Sequence, residues 1–172
     1  MIIYIPIEIP VRELHGHLLL SAVAASKGHQ VLVSSGVDLW LYKRLNLLSK
    51  GCYLLKNVNI PLVSLKTYTG FLNSGFDFYC QEQESSILHG EFKNHLEVLN
   101  IKKDQVMPFK GVFCWGDRDT LEYKRYFESK ENIFFNVGSL RLELWKEKFT
   151  PLRTLSHTMT EKPYILVVSN FA

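Results

Sequence analysis

The chain has 172 residues, the length of one domain, and is long enough to bury a core without disulfides or metal. Hydrophobic residues make up 47% of it, which excludes a disordered chain. The net charge of +3 comes from both signs mixed along the sequence with no block of like charge, so no nucleic-acid or membrane-surface footprint is expected.

Residues 2–7 form an isoleucine-rich run that predicts a strand buried on both faces. The first ten residues have no basic region and carry Pro6, Glu8 and Pro10, which makes a poor secretory signal. Residues 11–27 predict a helix with Leu14, Leu18, Ala22 and Ala25 on one apolar face. Gly28 follows, where a left-handed residue commonly ends a helix. The longest apolar stretch, 18–25, is broken by Ser21 and is too short to span a bilayer, so no integral membrane segment is expected.

Further strands are predicted at 31–33, 53–55, 76–80, 112–115 and 133–137, with helices at 37–48, 91–99, 117–129 and 140–148. Asp117 is read as the N-cap of the 117–129 helix. Residues 150–163 are polar, contain two prolines, and read as a linker. Tyr164-Ile-Leu-Val-Val then gives a strong buried-strand signal. The organisation expected is a domain at 1–149, a linker at 150–163, and the first strand of a second domain at 164–172. The alternative is an edge strand completing a single sheet, and an exposed apolar edge there would favour self-association or a partner chain.

Strand and helix alternate for about 150 residues, which predicts an α/β fold: an open, mainly parallel, Rossmann-like sheet with helices on both faces. Cys52, Cys80 and Cys114 are odd in number, widely spaced, and in or beside apolar runs. They read as reduced, buried thiols of a cytoplasmic protein.

In such sheets the ligand crevice lies beyond the carboxyl ends of the strands. That directs attention to 8–13, 34–38, 81–86, 116–119 and 138–143. Glu8, Arg12 and Glu13 cluster after the first strand. A carboxylate there can act as general base on a hydroxyl, and an arginine can grip phosphate or carboxylate; a salt-bridged helix start is the alternative. Gln81, Glu82 and Glu84 follow the fourth predicted strand as crevice-rim groups, or as a solvated polar loop. Gly116 and Gly138 each lie between strand and helix, where glycine permits a tight turn and a helix N-terminus attracts anions; Arg141 adds positive charge beside Gly138-Ser139.

No GxGxxG, P-loop or GxSxG motif occurs, and no Cys or His pair has zinc spacing. His15 and His17 lie two apart on a predicted helix and point to different sides, as incidental histidines of a surface helix. Asp117-Arg118-Asp119 has the spacing of a metal-diphosphate motif, but its place at a helix start favours capping, and no metal is assigned.

Taken together, these segments resemble a known family. Tyr4-Ile5-Pro6-Ile7-Glu8, Val11-Arg12-Glu13-Leu14, Leu18-Leu19-Leu20 and Lys27-Gly28-His29 resemble the opening of bacterial surface carbohydrate biosynthesis proteins. Val112-Phe113-Cys114-Trp115-Gly116 resembles that family's strand and Trp-Gly turn, and Asn136-Val137-Gly138-Ser139-Leu140-Arg141-Leu142-Glu143 its "TGNPRFD"-like segment. Leu140 stands where a proline is usual, and Glu143 where an aspartate is usual. Tyr164 to Asn170 resembles the strand that opens its second domain. The resemblance spans the chain but only the first half of the family's usual length.

The resemblance implies the N-terminal, acceptor-side domain of a GT-B glycosyltransferase, with two Rossmann-like domains facing a cleft. It implies sugar transfer from a nucleotide-sugar donor, held by a C-terminal domain, to a glycan acceptor, with no cofactor. Glu8 or Glu13 would be the base. Arg12, Glu82, Glu84, Trp115, Gly116, Gly138, Ser139 and Arg141 would contact substrate. Two alternatives stand beside it: a non-catalytic carbohydrate-binding or interaction domain that needs a partner chain, and a sugar-nucleotide epimerase of the same architecture.

Overall fold

A computed structural model describes residues 1–58, 62–83 and 109–152. Its elements in chain order are β1 (Ile2–Ile7), α1 (Pro10–Ser26), β2 (Gln30–Ser35), α2 (Gly36–Arg44), β3 (Cys52–Leu55), α3 (Leu62–Asn73), β4 (Asp77–Gln81), β5 (Phe109–Cys114), α4 (Asp117–Tyr126), a 3-10 helix (Glu128–Ile133), β6 (Phe134–Asn136), α5 (Leu140–Glu143) and a second 3-10 helix (Glu147–Leu152). The expected helix 91–99, the strand 164–168 and most of the linker lie outside the described residues; Thr150, Pro151 and Leu152 end the second 3-10 helix.

The strands form one six-stranded sheet in the order β2-β1-β3-β4-β5-β6, and every neighbouring pair is parallel. This is the open Rossmann-like α/β architecture expected, in the doubly wound 2-1-3-4-5 order extended by β6. The chain leaves β1 for β2 on one side and returns to β3 on the other. The sheet therefore has its topological switch point between β1 and β3.

Successive strand residues point to opposite faces, and this alternation divides the core. On one face Tyr4, Tyr53, Phe78, Val112 and Phe134 pack with Leu39 of α2, Phe71 of α3, Tyr123 of α4 and Phe127 just after it. On the other, Ile5, Ile7 and Leu54 pack with Leu20 of α1. Each fully buried large apolar side chain contributes roughly 1.5–3 kcal/mol. Aromatic contacts add to the first face: Tyr53 and Phe71 lie 4.8 Å apart, and Tyr123 stacks on Phe134 at 5.5 Å.

Several local expectations need correction. Helix α3 was not anticipated, and it supplies Phe71 to the core. The expected helix 37–48 ends at Arg44, and Asn46 takes a left-handed turn conformation. Helix 117–129 stops at Tyr126, and its continuation is the 3-10 helix that takes Ile133 from the expected strand 133–137. Helix 140–148 is reduced to α5. Asp117 is not the N-cap: Gly116 occupies that position, and the Asp117 carboxylate accepts from Asn136 Nδ2 at 2.6 Å.

The expected apolar face of α1 is turned the wrong way. Glu13, Gly16, His17 and Ala24 are buried, while Leu18 is 48% exposed and Ala22 and Ala25 are exposed. Small residues explain this. A Cβ at Gly16 would lie 3.1 Å from the Leu140 carbonyl oxygen, so the glycine lets α1 approach the start of α5 without the crowding that a side chain would bring. Close approach along the Gly16–Ala24 side sets the helix rotation, and the leucines follow.

Candidate functional site

The site is built at the β1–β3 switch point. Pro10 begins α1 almost at once after β1, which brings Glu13 back over the strand end. Glu13 is 3% exposed, and its Oε2 accepts the backbone N–H of Glu8 at 2.8 Å. Lys56, the first residue after β3, reaches across the switch point. Its ammonium is in direct contact with the Glu8 carboxylate and lies 3.8 Å from Glu13 Oε1. The Glu8 side chain stays 55% exposed, so a carboxylate that solvent can reach is held at the crevice by a buried one and a shared lysine.

One turn beyond Glu13 on the same side of α1 is His17, also 3% exposed. Gln83 Nε2 lies 2.8 Å from His17 Nε2. Amide and imidazole thus meet in a buried hydrogen bond between α1 and the β4 exit. Burial pushes the imidazole below its usual value, and the Glu13 charge opposes that shift. Gln83 N–H donates to the Lys56 carbonyl at 2.9 Å. The contacts close a circuit: the β1 exit to α1, α1 to the β4 exit, the β4 exit to the β3 exit, and back to Glu8.

The β4 exit is clamped from the other side as well. Glu82 is 3% exposed; its backbone N–H donates to Phe113 O at 3.0 Å, and Tyr123 OH donates to its Oε2 at 3.0 Å. The Trp115 indole N–H donates to the Glu82 carbonyl at 2.5 Å. Burial, then the Glu82 charge, pushes the Tyr123 phenol well up, so it remains a protonated donor. Gln81 Nε2 donates to the Gly138 carbonyl at 3.4 Å. Gln81 and Glu82 are thus buried hydrogen-bonding groups, not a solvated loop.

Among the described residues, no group of three or more His, Cys, Asp and Glu side chains could hold a metal ion. No helix there is long and apolar enough to cross a membrane.

Known proteins offer no match. The chain matches no family model, no curated protein and no solved structure.

Of the residues singled out from the sequence, Glu8 and Glu13 meet at one point, and Arg12 lies exposed on the first turn of α1 between them. Glu82 and Trp115 meet at a second point, about the β4 and β5 exits. Gly138 and Ser139 form the turn into α5, which carries Arg141, and Gly138 has φ +89° and needs the left-handed freedom of glycine. Gly116 does not: its backbone is extended and a Cβ there would meet open space, so tight-turn geometry does not explain it. Glu84 lies outside the described residues.

His17 corrects an expectation. It is a buried member of the circuit and not an incidental surface residue, whereas His15 is exposed. On a helix the informative neighbour of His17 is Glu13, four positions away on the same side, and not His15, two positions away. Lys56 and Gln83 were also missed. Lys56 follows an apolar run directly, and applying the strand-end rule to 53–55 would have found it.

Among the described residues, two buried side-chain atoms, His17 Nδ1 and Ser139 Oγ, have no hydrogen-bond partner. Both border the seam where Gly16 meets Leu140. The three cysteines are free and buried. Burial pushes the Cys114 thiol up to about 12 and the Cys80 thiol well up.

Proposed function

We propose that this chain is the acceptor-side domain of a GT-B glycosyltransferase of bacterial surface carbohydrate biosynthesis. The observation that carries this reading is the solvent-reachable Glu8 carboxylate at the β1–β3 switch point, held by Lys56 and buried Glu13. Ligands of open α/β sheets bind at such a point. The sequence resemblance supports the same assignment, because three of its segments, at 8–14, Trp115-Gly116 and 137–143, follow β1, β5 and β6 directly.

In this reading Glu8 takes the proton of an acceptor hydroxyl. The acceptor oxygen bonds to the anomeric carbon of the donor sugar, and the bond to the nucleoside diphosphate breaks, the diphosphate keeping its electron pair. Glu13 anchors Glu8 through its backbone, and Arg12 orients the acceptor. Trp115, with Glu82 behind it, walls the crevice. Gly116 and the Gly138-Ser139 turn with Arg141 face the donor, which the C-terminal domain of the complete enzyme would carry.

The test is a transfer assay on the full natural protein with a panel of nucleotide-sugars and oligosaccharide acceptors, read by product mass. Transfer is expected, with Glu8→Gln lowering turnover about 10²–10⁴-fold. Unchanged turnover in Glu8→Gln removes Glu8 as the base. Acceptor binding with no transfer from any donor would favour a binding module, and an epimerised donor without transfer would favour an epimerase.

A further inference from the structure

We propose that Lys56 is the positioning residue of this site, holding the Glu8 carboxylate over the crevice while Glu13 fixes the backbone beneath it. The inference rests on the reading of Glu8 as the base and assigns a role to a residue outside the motifs that suggested that reading.

Three observations support it. First, Glu8 directly follows β1 and its side chain is half exposed, so burial does not hold it in one rotamer. Lys56 supplies the contact from a different strand, across the switch point. Second, Lys56 is itself held. Its side chain is only 21% exposed, its ammonium is shared with buried Glu13, and its carbonyl takes the Gln83 N–H. A surface lysine would lose rotamer entropy to make one exposed ion pair worth little, but this one starts from an ordered frame. Third, the two grips on residue 8 are complementary. Glu13 holds its main chain at 2.8 Å and Lys56 its carboxylate, so backbone and side chain are fixed independently.

Misplacing a reacting group by about 1 Å costs on the order of 10²-fold in rate. Lys56→Met is therefore expected to lower kcat on that order while leaving acceptor KM little changed, because Lys56 acts through Glu8. Lys56→Arg, which keeps the charge and reach, is expected to restore most of the loss. In a Glu8→Gln background Lys56→Met should have no further effect, since the group it positions is already disabled.

The experiment is this four-variant kinetic cycle on the full protein, run beside carbon-13 NMR of labelled glutamate carboxyls. The Glu8 carboxyl signal should shift and lose its restricted mobility in Lys56→Met. A further loss of kcat when Lys56→Met is added to Glu8→Gln would overturn the proposal and place Lys56 on the substrate. A rise in KM alone would overturn it in the same way. If wild-type protein transfers nothing, the glycosyltransferase reading fails, and the NMR arm still decides this one: a Glu8 signal unchanged by Lys56→Met refutes the contact. Should Lys56→Met fail to fold because Glu13 is left buried without its ammonium, Glu13→Gln/Lys56→Met removes both charges and carries the same kinetic and NMR expectations.

Discussion

Replacing Tyr123 by Phe removes a hydrogen-bonding hydroxyl from the wall of the site. The ring would remain stacked on Phe134, 5.5 Å away, and packed against Phe127, so the aromatic contribution is preserved. What is lost is the hydroxyl that donates to Glu82 Oε2 at 3.0 Å, between two residues that are 5% and 3% exposed. A hydrogen bond to a charged group contributes about 1.5–3 kcal/mol, against roughly 1 kcal/mol for a neutral pair. With a urea m-value of about 2 kcal/mol/M, the unfolding midpoint should fall by roughly 1 M. The same substitution in a Glu82→Gln background should cost only about 1 kcal/mol, because the acceptor there is neutral. Urea denaturation followed by tryptophan fluorescence measures both. A loss below about 0.5 kcal/mol in the Glu82 background, or equal losses in the two backgrounds, would refute the claim that a carboxylate at the β4 exit depends on this phenol.

Other expectations follow from the same contacts. Because burial lowers the His17 pKa in the folded state, the unfolded chain binds the extra proton first as pH falls. Stability should therefore decline from about pH 6.5, the ordinary histidine value, down to the lowered folded value, and His17→Gln should flatten that part of the wild-type curve; identical curves would contradict the burial. Gly16→Ala places a methyl 3.1 Å from the Leu140 carbonyl. Its gain of about 1 kcal/mol in helix propensity offsets the crowding, so the net change should stay within about 1 kcal/mol while amide NMR shifts move at Ser139 and Leu140. Shifts confined to α1 would mean that the seam is looser than the geometry indicates. Cys80 and Cys114, buried and with raised thiol pKa values, should resist iodoacetamide at pH 8 in folded protein and react on denaturation, as read by intact mass.

Much of the frame was legible in the sequence because it depends on local chemistry. The isoleucine-rich run that became β1, the apolar runs of β3 and β5, and the left-handed Gly28 after α1 each report on a few adjacent residues. Their alternation was enough to predict a parallel α/β sheet, and the strand-exit rule was enough to select Glu8, Glu13 and Glu82, whereas Trp115 was singled out only by the resemblance. Helix α3 escaped notice; its place between β3 and β4 became evident only in the folded chain.

The tertiary structure decided what those residues do. Whether Glu13 faces solvent or the core depends on the rotation of α1, and that rotation is set by the approach of Gly16 to Leu140, 124 positions later in the chain. The pairing of Glu8 with Lys56 depends on β1 and β3 being neighbours, which periodicity does not encode. The Glu82 loop became a buried hub because Tyr123 and Trp115 arrive from α4 and the β5 exit. Residue type and spacing by themselves pointed to the strands of the sheet and to the strand exits as the place to look for a crevice. Strand order and helix rotation, which arise from contacts between distant segments, decided which polar groups meet there.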